Sequence, residues 1–140
     1  MRQIINPVAL PAPRGFSHAV KVSGGELLFL AGQDASDRAG NIVAMGDIVG
    51  QLDQVLSNLQ VVVESAGGHM RDIVKLNIFV ASRDDYIAHL KPLGEVFRRY
   101  FDGYYPALAL FQVAAFFREH ALIELEGMAV VGSGAASAEE

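Results

Sequence analysis

Tyr105-Pro106-Ala107-Leu108-Ala109-Leu110 and, further on, Leu122-Ile123-Glu124-Leu125-Glu126 read as two strands joined by a loop, and their reading decides the fold. The second strand alternates. Ile123, Leu125, Gly127 and Ala129 fall on one face, while Glu124, Glu126 and Met128 fall on the other. The first strand has no such polarity, because Leu108 and Leu110 on one side and Ala109, Phe111 and Val113 on the other are all apolar. Both of its faces are therefore expected to be covered. A carboxylate beside a strand apolar on both sides is either a surface charge or the polar element of a pocket.

Outward from this pair, Ile73 to Ala81 alternates, with Val74, Leu76, Ile78 and Val80 opposing Lys75 and Asn77, which predicts a half-covered strand. Upstream, Leu52, Val55, Leu56, Leu59, Val62, Val63 and Ala66 recur at spacings of three and four. They predict an amphipathic helix from Ile48, with Asp47 as N-cap and Gly67-Gly68 as its stop. Downstream, Ser82 and Asp85 have the form of a capping box, and Tyr86, Leu90, Leu93, Phe97, Tyr100 and Phe101 continue at helical spacing. Pro92 interrupts this second helix and predicts a kink or restart there.

Residues 1–13 supply a leading strand around Ile4-Ile5 and a proline-punctuated arm. Ser17 to Val22 and Leu27 to Gln33 are β-rich runs separated by Ser23-Gly24-Gly25-Glu26, which predicts a hairpin. Gly32 is expected to let something approach the backbone. The order is strand, hairpin, helix, strand, helix, two strands. It predicts a single α+β domain over residues 1–131, a mixed sheet with two helices packed on one face, and a flexible tail at 132–140.

Composition narrows the function. An apolar fraction of 51% without any apolar run near the ~20 residues of a membrane span predicts no membrane insertion and surplus apolar surface, covered by other copies of the chain. No apolar leader with a small-residue cleavage site follows Met1, so the cytoplasm is the expected compartment. The absence of cysteine excludes disulfides, thiolate metal sites and a catalytic thiol. A net charge of −5 with no basic cluster gives nucleic acid no electrostatic footprint.

His18, His69, His89 and His120 show no metal-binding spacing, so no metal is expected. Ser17 and His18 are strand neighbours that point to opposite faces, and no nucleophile elbow surrounds them. Gly24-Gly25 lies in a turn between strands rather than before a helix, so no phosphate loop and no nucleotide cofactor are indicated. Glu124 is the one catalytic candidate that the pattern leaves. Gln33 and Gln112 are ordinary amides unless the fold brings them to it.

The same residues resemble the Rid/YjgF family, the RidA-like imine and enamine deaminases that also carry the older label of L-PSP endoribonucleases and translation inhibitors. The resemblance covers roughly residues 4–131. It rests on the arm before Gly15-Phe16-Ser17-His18-Ala19-Val20, on Leu28-Phe29-Leu30-Ala31-Gly32-Gln33, on Glu64-Ser65-Ala66-Gly67-Gly68, and on Pro106-Ala107 followed by Ile123-Glu124-Leu125-Glu126. It implies a chorismate-mutase-like fold assembled as a homotrimer, with sheets inside, helices outside and a small-molecule cleft between subunits.

In active deaminases of that family an arginine directly after Pro-Ala grips the substrate carboxylate, and the first glutamate of the final strand positions the hydrolytic water. Here the arginine position is Leu108, the family's arm tyrosine is Phe16, and the glutamate is kept as Glu124. A charge-assisted hydrogen bond is worth about 1.5–3 kcal/mol, so its loss weakens carboxylate binding by about tenfold to a hundredfold. The resemblance therefore implies a deaminase with a less anionic substrate, its cleft lined by Phe16, Leu108 and the Ala31-Gly32-Gln33 backbone. Arg14 and Arg118 are the cations placed to replace the missing one. The alternative is a non-catalytic small-molecule binder or interaction trimer; the third reading, a ribonuclease, is disfavoured by the acidic charge.

Overall fold

A computed structural model describes residues 1–134. Strands β1 (Arg2–Ile5) and β2 (Ala19–Val22) form a two-stranded antiparallel ribbon. Strands β3 (Glu26–Gln33), β4 (Ile73–Val80), β5 (Ala107–Gln112) and β6 (Ile123–Val131) form a mixed sheet in the order β3-β6-β4-β5. Helix α1 (Ile48–Ser65) separates β3 from β4, and α2 (Arg83–Ala88) and α3 (Leu90–Phe101) join β4 to β5. That pair is parallel, a connection that needs a crossover long enough to return the chain, and the two helices supply it.

Local chemistry explains the helices. The Asp47 side chain accepts from Gly50 N at 3.1 Å, and Ser82 Oγ accepts from Asp85 N at 3.1 Å. The second helical region breaks at His89, and α3 restarts with Pro92 in its first turn, where a missing N–H costs nothing. The interior stripe of α1 is Ile48, Gln51, Leu52, Val55, Leu56, Leu59 and Val63. It packs on β6, β3 and α3. Together with Leu76, Ile78, Val80, Leu93, Phe101, Ile123 and Leu125 it makes one core on a single face of the sheet.

Three expectations are corrected. The Gly24-Gly25 turn reverses the chain, but β2 does not pair with β3: it pairs with β1, while β3 pairs with β6. The turn joins two sheets instead of closing a hairpin. Within one chain strand β5 is covered on one face alone, because the helices pack on a single side of the sheet; Leu108 and Leu110 pack on the core, whereas Phe111 on the other side is exposed. Strand β4 does not alternate throughout. A register shift between Ile73 and Lys75 brings Ile73 into the core and leaves Val74 half-buried. Gly127 pairs with Leu76 just past this irregularity, where a Cβ would lie 1.9 Å from the Lys75 carbonyl oxygen, so no other residue fits.

The alternation of β6 holds as read. Ile123, Leu125 and Ala129 are fully buried, and Glu124, Glu126 and Met128 look to the opposite, helix-free face. Leu27 and Phe29, the latter 72% exposed, join Met128 there. At the C-terminal end Gly134 N donates to Asp72 Oδ1 and Ser133 is buried. The rest of the tail expected to be flexible, residues 135–140, lies outside the described residues.

Gln51 was not among the apolar positions that predicted α1, yet it is fully buried in that stripe. Its amide nitrogen donates to His120 O at 2.9 Å, and its amide oxygen accepts from Leu122 N at 2.8 Å. The amide thereby clamps the β5–β6 loop where His120 holds a left-handed backbone, φ 70°. Gln51→Leu keeps the volume but leaves those loop groups unpaired. The expected loss is about 1–3 kcal/mol, read as a lower urea midpoint with an unchanged slope.

Candidate functional site

The open sheet face and the β5–β6 loop enclose a depression of about 320 Å³ around Glu124. Gly32, Phe79 and Glu126 line it from the sheet; Val113, Ala115, Phe116 and Phe117 line it from the loop. Register explains the placement: Phe79 stands opposite Glu124 on one side and Phe111 on the other, so all three share a face. The Phe79 and Phe111 rings stack with centroids 6.0 Å apart.

Gly32 makes room for the carboxylate. A Cβ there would lie 2.5 Å from Glu124 Oε2, so the expected close approach to the Gly32 backbone is that of Glu124 itself. Strand β3 is irregular between Leu30 and Gln33, which lets the Ala31-Gly32 segment depart from the ladder beside β6. The Glu124 carboxyl is pushed above its ordinary range, first by burial, then by the charges of Asp34 and Glu126. A carboxyl so placed holds or accepts a proton nearer neutrality than a surface glutamate does. Gly32→Ala should displace Glu124 and lower any Glu124-dependent turnover by about 10²-fold while the melting temperature barely moves, because the obstructing atoms end a flexible side chain.

The other residues singled out from the sequence divide between places. Gly32 lines the depression and Ala31 does not, and Gln33 lies at the end of β3 in a groove with Asn58 and Ser36. Phe16 belongs to a second depression with Ile4, Pro13, Ser17, Gly103 and Tyr105. Ser17 holds the arm there, its N–H donating to Pro106 O at 3.1 Å and its Oγ to Tyr105 O at 2.6 Å. Leu108 follows on the core side of β5, so Leu108 and Glu124 look to opposite faces of the sheet and do not meet within one chain.

Neither arginine reaches Glu124 in this chain. Arg14 is exposed on the arm. The Arg118 guanidinium is committed elsewhere, Nε 3.2 Å from Asp34 Oδ2 and an η nitrogen donating to Gly40 O at 2.8 Å. Gln112 is likewise removed, its side-chain oxygen accepting from Arg83 N at 2.8 Å. Among the described residues no group of three or more His, Cys, Asp or Glu side chains could hold a metal ion. No helix among them is long and apolar enough to cross a membrane.

The aromatic loop was missed in the sequence reading. Its signal was present as Phe116-Phe117 in a segment that is otherwise small or charged, Ala114-Ala115 and Arg118-Glu119-His120.

A mixed four-stranded sheet with helices on one face, a proline-rich arm bridged to β5, and a glutamate of the last strand seated against a glycine of β3 define an α+β domain of the YjgF type. Comparison with known proteins agrees. The family model described as Endoribonuclease L-PSP matches residues 7–131. A 2-iminobutanoate/2-iminopropanoate deaminase of Dermatophagoides farinae is 31% identical, over 93% of this chain and 97% of its own. Protein DfrA of Myxococcus xanthus is 35% identical, over 82% of this chain and 84% of its own. The crystal structure of YyfB from Yersinia pestis, a conserved Rid-family protein of unknown function, superposes with a TM-score of 0.83 at 34% identity, covering 93% of this chain and 98% of that one. The chain belongs to the Rid/YjgF family.

Proposed function

We propose that the protein is a Rid-type imine or enamine deaminase, a hydrolase, whose substrate is less anionic than a 2-iminoacid. The observation that carries this reading is Glu124, seated against Gly32 in a depression and with its carboxyl raised above the ordinary range. In the reaction Glu124 orients a water against the C=N carbon and takes up a proton as the water adds. The apolar Leu108 and Phe16, where the family carries an arginine and a tyrosine, support the shift away from carboxylate substrates.

The active assembly is a homotrimer with the small-molecule cleft between subunits. Two features support it. Leu108 and Phe16 stand apart from Glu124 in one chain, so a cleft that uses both requires a second copy. The open sheet face also leaves Leu27, Phe29, Phe111 and Met128 uncovered, surface that a neighbour would bury. The compartment proposed is the cytoplasm. The acidic charge argues against nucleic acid as a ligand and against the ribonuclease reading.

The test is to supply imines from an amino-acid oxidase, and uncharged imines separately, and to compare their hydrolysis with that in buffer. Faster loss of the uncharged imines, dependent on Glu124, is the expected result; no acceleration of either would sink the reading. A second reading, a binding protein of the same fold without turnover, is favoured by the same Leu108 and Phe16. It predicts stabilisation by small metabolites without hydrolysis.

A further inference from the structure

The depression beside Glu124 has a chemical character that the fold does not require. Its polar side chains are Glu124 and Glu126, and its walls are phenylalanines: Phe79 from β4, Phe116 and Phe117 from the loop. Among the described residues of one chain, no lysine or arginine lines it. Arg118, next to Phe117 in sequence, is turned to Asp34 and Gly40. Within one chain an anionic ligand placed there meets two carboxylates, and Arg118 is held away from it by Asp34 and Gly40. A cationic ligand meets both carboxylates and the negative faces of aromatic rings.

The loop that carries the phenylalanines is fastened. Val113 N donates to Val80 O and Ala81 N donates to Leu122 O, each at 3.0 Å, so both loop ends are tied to the end of β4. Gln51 clamps His120 and Leu122, and Arg118 ties the middle to Gly40. On this anchored frame the Phe117 ring is 99% exposed. A bulky apolar ring exposed in one chain beside a depression offers a surface to a ligand or to the neighbouring subunit, and the assembly mass of a Phe117 variant separates the two.

We infer that the depression selects imines that lack a carboxylate and carry an aromatic or bulky apolar substituent, bound as the protonated iminium, with Phe79, Phe116 and Phe117 as specificity-determining residues. The inference rests on the deaminase reading and adds the substrate class. The step balances without redox change. Water oxygen bonds to the iminium carbon as the C=N π pair passes to nitrogen; the C–N bond then breaks as a hydroxyl proton is lost and nitrogen is protonated. The sum is R–CH=NH2+ plus H2O giving R–CHO plus NH4+. The reaction class that supplies such a substrate is the two-electron oxidation of a primary arylalkyl amine.

The test uses a matched pair differing only in the carboxylate: imines generated by an oxidase from 2-phenylethylamine and from phenylalanine, each followed by competition with semicarbazide. Binding of 2-phenylethylammonium and 3-phenylpropionate is measured alongside by calorimetry. The expected result is turnover of the amine-derived imine and binding of the ammonium at least about tenfold tighter than the carboxylate, with Phe117→Ala weakening it about tenfold at unchanged assembly mass. Equal or tighter binding of 3-phenylpropionate overturns the inference, as does a Phe117→Ala variant that binds like the parent or changes the assembly mass. Glu124-dependent turnover of the phenylalanine-derived imine alone overturns it while leaving imine hydrolysis standing. Selective ammonium binding without turnover of either imine upholds the cation selectivity and removes the deaminase reading.

Discussion

Glu124→Gln is expected to lower imine hydrolysis by about 10²–10⁴-fold, the usual contribution of a positioned general base, with the fold intact. Gln is nearly isosteric and keeps one acceptor, so the space against Gly32 stays filled while the basic oxygen is lost. The same substitution has a signature in stability that separates it from a bland surface charge. Burial, Asp34 and Glu126 raise the Glu124 carboxyl above the ordinary value of 4.5. A carboxyl raised in the folded state contributes stability that is complete below its unfolded pKa and is lost as pH rises through the folded one. The wild-type chain therefore carries a penalty near pH 7 that Gln cannot carry. Thermal melts should show the variant ahead of wild type at pH 7, with the gap closing as pH falls toward 4. A constant gap, or none, would mean that Glu124 titrates as a solvated side chain. The activity profile has the opposite acid limb: turnover that needs the ionised carboxyl falls as pH drops through a pKa above 4.5.

The direction of Glu124 was legible because β6 has a strict period of two with one fully apolar face, and a register slip would put its charges into the core. The helices were legible for a related reason: Asp47 and Ser82 both cap where the pattern starts, and Pro92 marks the place past which the helix could not run unbroken. The partner of a strand is a different matter. Gly24-Gly25 signals reversal of the chain, which occurs, but the turn carries nothing about which edge accepts the strand that follows. Two-sided apolarity in β5 was equally ambiguous, since an edge strand awaiting a neighbour and a central strand have the same composition.

The relation between Leu108 and Glu124 could not be read from either strand alone. Period two fixes faces within a strand, whereas relating β5 to β6 requires the register through β4, where Phe79 is the shared partner of Phe111 and Glu124. Gln51 and the Phe116-Phe117 pair escaped for opposite reasons. A buried amide in an apolar stripe is hidden by its neighbours, and aromatics in a loop have no periodicity to betray them.

Leu108→Arg is expected to raise hydrolysis of 2-iminoacids by about tenfold to a hundredfold, the converse of the carboxylate affinity that a missing guanidinium forfeits. The substitution is tolerable because Leu108 is only partly buried on an edge strand, where a long side chain can extend past the core. Since Leu108 and Glu124 look to opposite faces of one sheet, the gain depends on a second copy bringing its own Glu124 to that edge. Mixing makes the dependence measurable. Leu108→Arg combined with Glu124→Gln in one chain should be inactive as a pure assembly, because every cleft lacks the glutamate. Refolded together with wild-type chains it should recover 2-iminoacid activity, because some clefts then join the guanidinium of one chain to the Glu124 of another. Recovery no greater than the wild-type share alone would mean that the two residues do not serve a common cleft. A single variant that folds, assembles and gains nothing would place the departure from carboxylate substrates in the acidic, aromatic wall around Glu124 instead of in the one missing arginine.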